Sequence, residues 1–238
     1  MKETMNTAIE RCSKNSSKNT EMINSSINFS EARKAMVEEQ LRLRDITDER
    51  VLAAMERVPR HRFLPIELWD RAYDDTPLPI GDGQTMSQPY MVAFMTQALM
   101  LKENDKVLEV GTGSGYQAAI LAEIIQHVRT IEVRPDIARR VRKILDELDY
   151  GERITTHIGD GSQGLKEEAP FDGIIVTAAY TIIPTPLLEQ LAEGGRLVMP
   201  VGGMEHQILY RIIRKGTELQ CERLLSCIFV PLIVGDEL

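Results

Sequence analysis

Two short segments of this chain carry residue types suited to ligand binding and group transfer. The first, at residues 82–90, is a polar loop that reads Asp-Gly-Gln-Thr-Met-Ser-Gln-Pro-Tyr. The second is a glycine-rich turn at residues 109–115, which reads Glu-Val-Gly-Thr-Gly-Ser-Gly. Glycines let a backbone approach a ligand closely, and free N–H groups at the start of a following helix hold polar or anionic groups. The turn therefore predicts a nucleotide-cofactor site that includes Gly111, Gly113 and Gly115.

Three acidic residues follow predicted strands and narrow the kind of cofactor. Glu109 ends the first strand, Glu132 ends the second, and Asp160 follows the third, just ahead of Gly161. All three fall at the carboxyl edge of a parallel sheet, where ligands bind. We expect Glu132 to accept hydrogen bonds from both ribose hydroxyls, Asp160 to accept from an adenine amino group, and Glu109 to face an ammonium or sulfonium charge. The spacing G-x-G-x-G departs from the dinucleotide fingerprint G-x-G-x-x-G and so disfavours a dehydrogenase. This acid-x-G-x-G-x-G arrangement resembles the first motif of class I S-adenosylmethionine-dependent methyltransferases.

The elements that would position these residues form a strand–helix alternation. Short apolar runs at 107–110, 128–133, 154–158, 174–177 and 197–201 alternate with helical patterns, one of which carries Leu187, Leu188 and Leu191. This pattern predicts an α/β fold with a doubly wound, mostly parallel, Rossmann-like sheet. Two strand-like stretches, 207–213 and 219–230, predict a closing antiparallel hairpin.

The N-terminal half predicts helices around the polar loop. Residues 1–30 are rich in Ser and Asn, so we expect a flexible extension ahead of a single methyltransferase domain at 31–238. Within that domain, 31–105 forms the helical and substrate-loop part, and 106–238 forms the cofactor-binding sheet and the hairpin. Amphipathic patterns predict two helices between 32 and 58 and a third over 88–100.

Composition excludes several classes of function. A formal net charge of −8 argues against binding a nucleic-acid backbone, which needs clustered Lys and Arg. No apolar run approaches the roughly 20 residues of a membrane-spanning helix, and the first residues lack the apolar block of a signal peptide. The spacing of Cys12, Cys221 and Cys227 fits neither a disulfide framework nor a zinc site. We therefore expect a cytoplasmic protein with reduced thiols, no membrane contact and no metal, and we expect a monomer.

The polar loop resembles that of the protein-L-isoaspartate O-methyltransferases, whose usual form is G-Q-T-I-S-Q-P, with Met86 in place of isoleucine. The likeness covers about residues 32–232. It continues in family order and spacing at 58–65, 77–81, 109–118, 159–161, 171–179 and 230–232. Ile233 stands where some relatives carry a hydroxyl residue near the cofactor.

The resemblance implies transfer of the S-adenosylmethionine methyl group to the α-carboxylate of an isoaspartyl residue in a damaged peptide or protein. The resulting ester recyclises spontaneously and returns in part to normal aspartate. A carboxylate is already ionised at pH 7, so the enzyme mainly has to align and desolvate the reactants. We expect Ser87 to donate the hydrogen bond that orients the attacking carboxylate, and Thr85, Met86 and Gln88 to line the gap between cofactor and substrate.

Alternatives remain at this point. Ser87 also fits the N-cap of the helix predicted over 88–100. The same cofactor fold could serve another acceptor, such as a metabolite or RNA, and a nucleotide-binding regulatory module without catalysis would carry the same glycine turn.

Overall fold

The N-terminal half consists of short helices packed around a small hairpin. The structure, a computed structural model, describes residues 27–235, so most of the predicted extension lies outside the described residues. The helices are α1 (Phe29–Ala35), continued by a π-helix (Met36–Arg42), then α2 (Glu49–Arg57), 3-10 helices at Arg60–Phe63 and Ile66–Arg71, and α3 (Pro89–Ala98). The hairpin strands are β1 (Leu78–Gly81) and β2 (Gln84–Met86). Asn28 caps α1 by accepting a hydrogen bond from the N–H of Glu31, so this helix begins two residues before the predicted domain start at residue 31.

The C-terminal half is built on a seven-stranded sheet. Its strands are β3 (Val107–Val110), β4 (Val128–Glu132), β5 (Ile154–Ile158), β6 (Phe171–Val176), β7 (Leu191–Gly202), β8 (Gln207–Lys215) and β9 (Glu218–Cys227). The helices are α4 (Tyr116–Ala122), α5 (Pro135–Glu147) and α6 (Thr185–Glu189), with 3-10 helices at Gly161–Gln163 and Lys166–Glu168.

The strand order is β5-β4-β3-β6-β7-β8-β9, with parallel pairing from β5 to β7 and antiparallel pairing beyond. The chain winds outward from β3 in both directions, so the topological switch point lies between β3 and β6. The predicted doubly wound sheet and closing antiparallel hairpin are confirmed.

The central strands are buried because helices cover both faces of the sheet. Every residue of β3 is buried, as are most residues of β6, and their apolar side chains divide into two core clusters. Strands covered on both faces are expected to be nearly continuous apolar runs. Glu109 breaks this rule as a fully buried carboxyl group in the middle of the sheet.

Two local predictions were wrong. Leu191 begins β7 rather than belonging to the preceding helix, because it pairs with Phe171 at the start of β6 and is buried there. The polar loop is part of a β-hairpin: Gly81 pairs with Gln84 across a two-residue turn, Asp82-Gly83. Both turn residues have positive φ, as in a type I′ turn.

Arg196 fixes the connection between α3 and β3. From β7 its guanidinium donates to the carbonyl oxygens of Leu99 (2.6 Å) and Met100 (2.6 Å) and pairs with the Asp105 carboxylate (2.8 Å). Both charged side chains are about nine-tenths buried. Burying such a pair is tolerated only when the surrounding donors and acceptors are matched, as they are here.

Replacing Arg196 by leucine will therefore destabilise the fold, since it leaves the buried Asp105 carboxylate without its charged partner and two carbonyl oxygens without their donor. We expect a loss of about 3 kcal/mol in the free energy of unfolding, measured by urea denaturation. The matched control is Arg139→Leu, which removes an exposed pair with Asp136 and should change stability by less than about 0.5 kcal/mol. Equal effects of the two substitutions would contradict this role for Arg196.

Candidate active site

A cleft lies at the carboxyl ends of β3, β4 and β6, with about 760 Å³ of space that no protein atom fills, part of it open to solvent. Most of the predicted site residues line it: Thr85, Met86, Ser87, Glu109, Gly111, Gly113, Glu132 and Gly161. Parallel strands with this order direct their carboxyl ends to one edge, so residues distant in sequence converge there.

Glu109 is the most unusual group in the cleft. Its side chain is completely buried, and its Oε2 accepts a hydrogen bond of 2.5 Å from the hydroxyl of Thr130 on β4. The other oxygen, Oε1, has no hydrogen-bond partner within residues 27–235. Burial raises the pKa of Glu109 to about 8. The hydrogen bond from Thr130 lowers the pKa but does not offset the effect of burial. A buried acceptor without a partner, in a cleft, fits a ligand that brings a positively charged donor.

Glu132 holds the glycine-rich turn in place. Its Oε2 accepts a 2.9 Å hydrogen bond from the N–H of Gly113, and its Oε1 accepts a 3.0 Å bond from the N–H of Arg134. A carboxylate offers about four lone-pair sites, so these two bonds leave acceptor capacity for a ligand. The predicted contact with ribose hydroxyls is compatible with this position at the cleft wall.

Gly115 does not line the cleft, and its position is explained by packing. It has φ +85°, and a Cβ placed there would come within 2.5 Å of Cγ1 of Val141 on α5. A side chain at this position would push apart the start of α4 and the face of α5. A predicted cofactor-binding glycine thus lies in a helix–helix contact instead.

Asp160 also lies apart from the cleft. Its Oδ1 accepts from the N–H of Ser162 (2.9 Å) and its Oδ2 from the N–H of Gly235 (2.9 Å), and it borders a shallower neighbouring cavity. Despite partial burial, these backbone and side-chain hydrogen bonds hold its pKa below the ordinary value. The carboxylate therefore closes the turn after β5, while the adjacent Gly161 faces the cleft.

A second cavity, with about 560 Å³ of unfilled space that is partly open to solvent, adjoins the first. It is lined mainly by Pro77, Gln88, Met91, Cys227, Ile228 and Phe229. Four residues border both cavities: Thr85, Ser87, Thr177 and Val230. These four residues form a wall that the two cavities share, and ligands bound in the two cavities would lie next to each other there.

The C-terminal segment completes the wall through strand-like bonds to the chain after β6. The N–H of Ala179 donates to the carbonyl of Val230 (2.8 Å), and the N–H of Leu232 donates to the carbonyl of Ala179 (2.7 Å). Ile233 also borders the cleft. It offers an apolar side chain at the position expected to carry a hydroxyl residue in some relatives.

Ser87 is held by its neighbours rather than by capping α3. The residue before the helix is Gln88, whose side chain makes no capping bond, so the alternative of Ser87 as N-cap is wrong. Asp75, in the loop before β1, caps the helix instead. Its Oδ1 accepts from the N–H of Tyr90 (3.2 Å), and its Oδ2 accepts from Nε2 of Gln88 (2.8 Å). Arg44 pairs with Asp75 at 2.9 Å and stacks 3.4 Å from the centre of the Tyr90 ring. The side chain of Gln88 is thus committed to Asp75 while the residue borders the second cavity.

Sequence reasoning missed Asp75, Thr130 and Thr177. Thr177 donates to the carbonyl of Gly111 (2.6 Å) and borders both cavities. Thr130 stands inside an apolar run and Asp75 in a loop of mixed charge, where neither has a pattern of its own. The hairpin did have a signal, because Asp-Gly between short strands is typical of a two-residue turn.

A comparison with protein-family models matches residues 31–237 to the model described as Protein-L-isoaspartate(D-aspartate) O-methyltransferase. The chain belongs to this family. A protein-L-isoaspartate O-methyltransferase of Syntrophotalea carbinolica is 52% identical over 208 residues, which are 87% of this chain and 95% of that protein. The predicted family, fold class and enzyme class are confirmed.

Solved structures agree with this assignment. One protein-L-isoaspartate O-methyltransferase structure has TM-score 0.75 and 27% identity, covering 84% of this chain and 65% of that chain. A putative member from Plasmodium falciparum, solved in complex with S-adenosyl-L-homocysteine, has TM-score 0.74 and 27% identity, covering 85% of this chain and 99% of that chain.

The part of the chain that the structure describes contains free thiols but neither a metal-binding group nor a membrane-spanning helix. Within it, no His, Cys, Asp and Glu side chains form a group of three or more that could hold a metal ion. No helix there has the length and apolarity needed to cross a bilayer. Cys221 and Cys227 are free thiols, and burial raises the pKa of Cys227 to about 11.

Asp75 will prove important for activity because it fixes the backbone that presents Ser87. For Asp75→Ala we expect kcat of methyl transfer to fall about 10-fold to 100-fold, the effect of a displacement near 1 Å. The fall in stability should be only about 1 kcal/mol, as for a lost helix cap.

The matched control for that substitution is Asp74→Ala, which removes an exposed side chain paired with Arg71. It should leave both kcat and stability near those of the unsubstituted enzyme. If Asp74→Ala and Asp75→Ala lose activity equally, anchoring by Asp75 is not the cause.

Proposed function

We propose that the cleft binds S-adenosylmethionine and that the second cavity receives an isoaspartyl residue of a damaged peptide, with methyl transfer where the two cavities meet. The enzyme is a protein-L-isoaspartate O-methyltransferase by family, which initiates repair of isoaspartyl residues in proteins. The observation that carries the proposal is the adjacency of the two cavities at Thr85, Ser87, Thr177 and Val230.

The residues of the cleft fit the chemical groups of this methyl donor. Glu109 offers a buried, unpartnered oxygen to a cationic group, and Glu132 offers acceptor capacity beside the glycine turn for ribose hydroxyls. Val110 and Ile131 add apolar surface to the cleft, which suits a purine ring. S-adenosylmethionine supplies an electrophilic methyl group on a positively charged sulfur. For Gly115 and Asp160, direct contact with the donor is not supported by their positions.

The second cavity fits a peptide segment. Its walls combine apolar side chains with polar groups at Thr85, Ser87, Gln88, Thr177 and Ser226. It borders the exposed segment that follows edge strand β9. Such a cavity can take the backbone and β-carbon of an isoaspartyl residue while its free α-carboxylate reaches the polar wall. Apolar walls also strip water from the carboxylate, which strengthens it as a nucleophile.

Ser87 is the group that orients this carboxylate. No described partner engages its hydroxyl, and the residue is half-buried at the wall. A hydroxyl donor to one carboxylate oxygen leaves the other oxygen free to attack the methyl carbon in line. The nucleophile is ionised at neutral pH, so alignment carries the catalysis, and alignment can contribute roughly 7–11 kcal/mol in favourable cases.

The remaining expectations concern the setting of the enzyme. A net charge of −8 supports peptides over nucleic acids as the acceptor and so weakens the RNA alternative. The absence of regular cysteine spacing supports a reducing compartment, and we propose a cytoplasmic monomer.

A pair of synthetic peptides that differ only in an isoaspartyl or a normal aspartyl linkage tests this function. With labelled S-adenosylmethionine, we expect base-labile methylation of the isoaspartyl peptide and none of its aspartyl counterpart. Equal labelling of the two peptides would overturn the proposed acceptor.

Substitution of Ser87 by alanine tests the mechanism. We expect kcat/KM for the isoaspartyl peptide to fall about 100-fold, as when one positioned donor is lost from an active site. The affinity for S-adenosylhomocysteine, measured by calorimetry, should stay unchanged. A loss of that affinity equal to the loss of activity would assign Ser87 to donor binding instead.

A further inference from the structure

A chain of hydroxyl groups links the glycine turn to the buried carboxyl group of Glu109. Thr130 lies beside Glu109 in the register of β3 and β4, and its hydroxyl donates to Oε2 at 2.5 Å. The Thr130 and Thr112 hydroxyl oxygens are 2.7 Å apart. All three side chains are at least 97% buried, so water does not compete for these bonds.

The direction of the chain follows from proton counting. A hydroxyl has one proton to donate, and Thr130 commits its proton to the carboxyl oxygen. Thr130 must then accept from Thr112, whose hydroxyl therefore points toward the sheet. The bonds run from Thr112 to Thr130 to Glu109, and this polarity stabilises negative charge on Glu109.

We propose that Thr130 is a positioning residue that favours the ionised form of Glu109 and aims its free oxygen at the cationic amino-acid part of the methyl donor. This inference rests on the proposed donor site in the cleft. Thr130 does not itself border the cleft, so it acts only through Glu109 and Thr112.

The balance of charge around Glu109 explains why such support is needed. Burial disfavours its ionised form, and so does the negative charge of Glu132, which lies on the same strand as Thr130. The bond from Thr130 is the interaction within the described residues that favours ionisation. Without it, the pKa of Glu109 rises further, so a smaller ionised fraction is present at neutral pH to attract an ammonium group.

The experiment measures binding of S-adenosylhomocysteine, which retains the ammonium group, by calorimetry between pH 6 and pH 8.5. In the unsubstituted enzyme we expect affinity to rise with pH, since only the ionised fraction of Glu109 attracts the ammonium group. For Thr130→Val the profile should move to higher pH. Below the pKa, each unit of that shift weakens binding about tenfold. Thr130→Ser, which restores the hydroxyl, should restore the profile.

Two controls separate this effect from a general loss of structure. Methylthioadenosine lacks the ammonium group, so its affinity should be the same in the unsubstituted enzyme, Thr130→Val and Thr130→Ser at every pH. Thr156→Val changes the threonine that neighbours Thr130 in register on β5 and should leave every profile unchanged. If Thr130→Val does not fold, Thr112→Val carries the test, with a smaller shift in the same direction.

The pH profiles distinguish the role of Thr130 from the existence of the donor site in the cleft. A pH-dependent profile that is identical in the unsubstituted enzyme, Thr130→Val and Thr112→Val would overturn the role of Thr130 and leave the donor site intact. A pH-independent profile in the unsubstituted enzyme would overturn the placement of Glu109 itself, and the inference with it.

Discussion

The structure depends on one buried carboxyl group at the switch point of the sheet. Placing Glu109 on the central strand removes it from water, an unfavourable position unless its oxygens find donors. Thr130 supplies one donor, and the second oxygen remains available to a ligand. The strand order brings Glu109, Thr130 and Glu132 to one edge. The interior of the sheet thereby holds a carboxyl group that favours a cationic ligand. The low dielectric of the surroundings strengthens the attraction between the two charges.

Strand β4 also fixes the glycine turn, through side chains that bond to the turn residues. Thr130 contacts Thr112, while Glu132 accepts from the N–H of Gly113, so two successive inward side chains of one strand hold two turn residues. On the opposite side of the cleft, Asp75 holds the start of α3 in the same manner. Both halves of the active site are thus positioned by groups that do not contact the reacting atoms. Such support is what keeps a site rigid enough for alignment to be effective.

Much of the fold could be predicted from the sequence because strand and helix periods are local properties. The five parallel strands, the hairpin and the glycine turn all have patterns that a single segment displays. Less of the candidate site than of the fold could be predicted from the sequence. Gly115 and Asp160 carry the right residue types at the right spacing, yet packing against Val141 and bonds to Ser162 and Gly235 account for them. Asp75 acts on Ser87 across a loop and a hairpin, and no one-dimensional pattern encodes that meeting.

The shared wall between the two cavities has a consequence for inhibitor chemistry. Thr85, Ser87, Thr177 and Val230 border both cavities, so these side chains alone lie between the two. A single molecule that joins an adenosine moiety to a short peptide mimic therefore needs only a very short tether to occupy both cavities. Because one part is already held when the other binds, such a bisubstrate compound gains the advantage of high effective concentration. Its selectivity would come from the peptide end, since the nucleoside end meets features common to many methyltransferases.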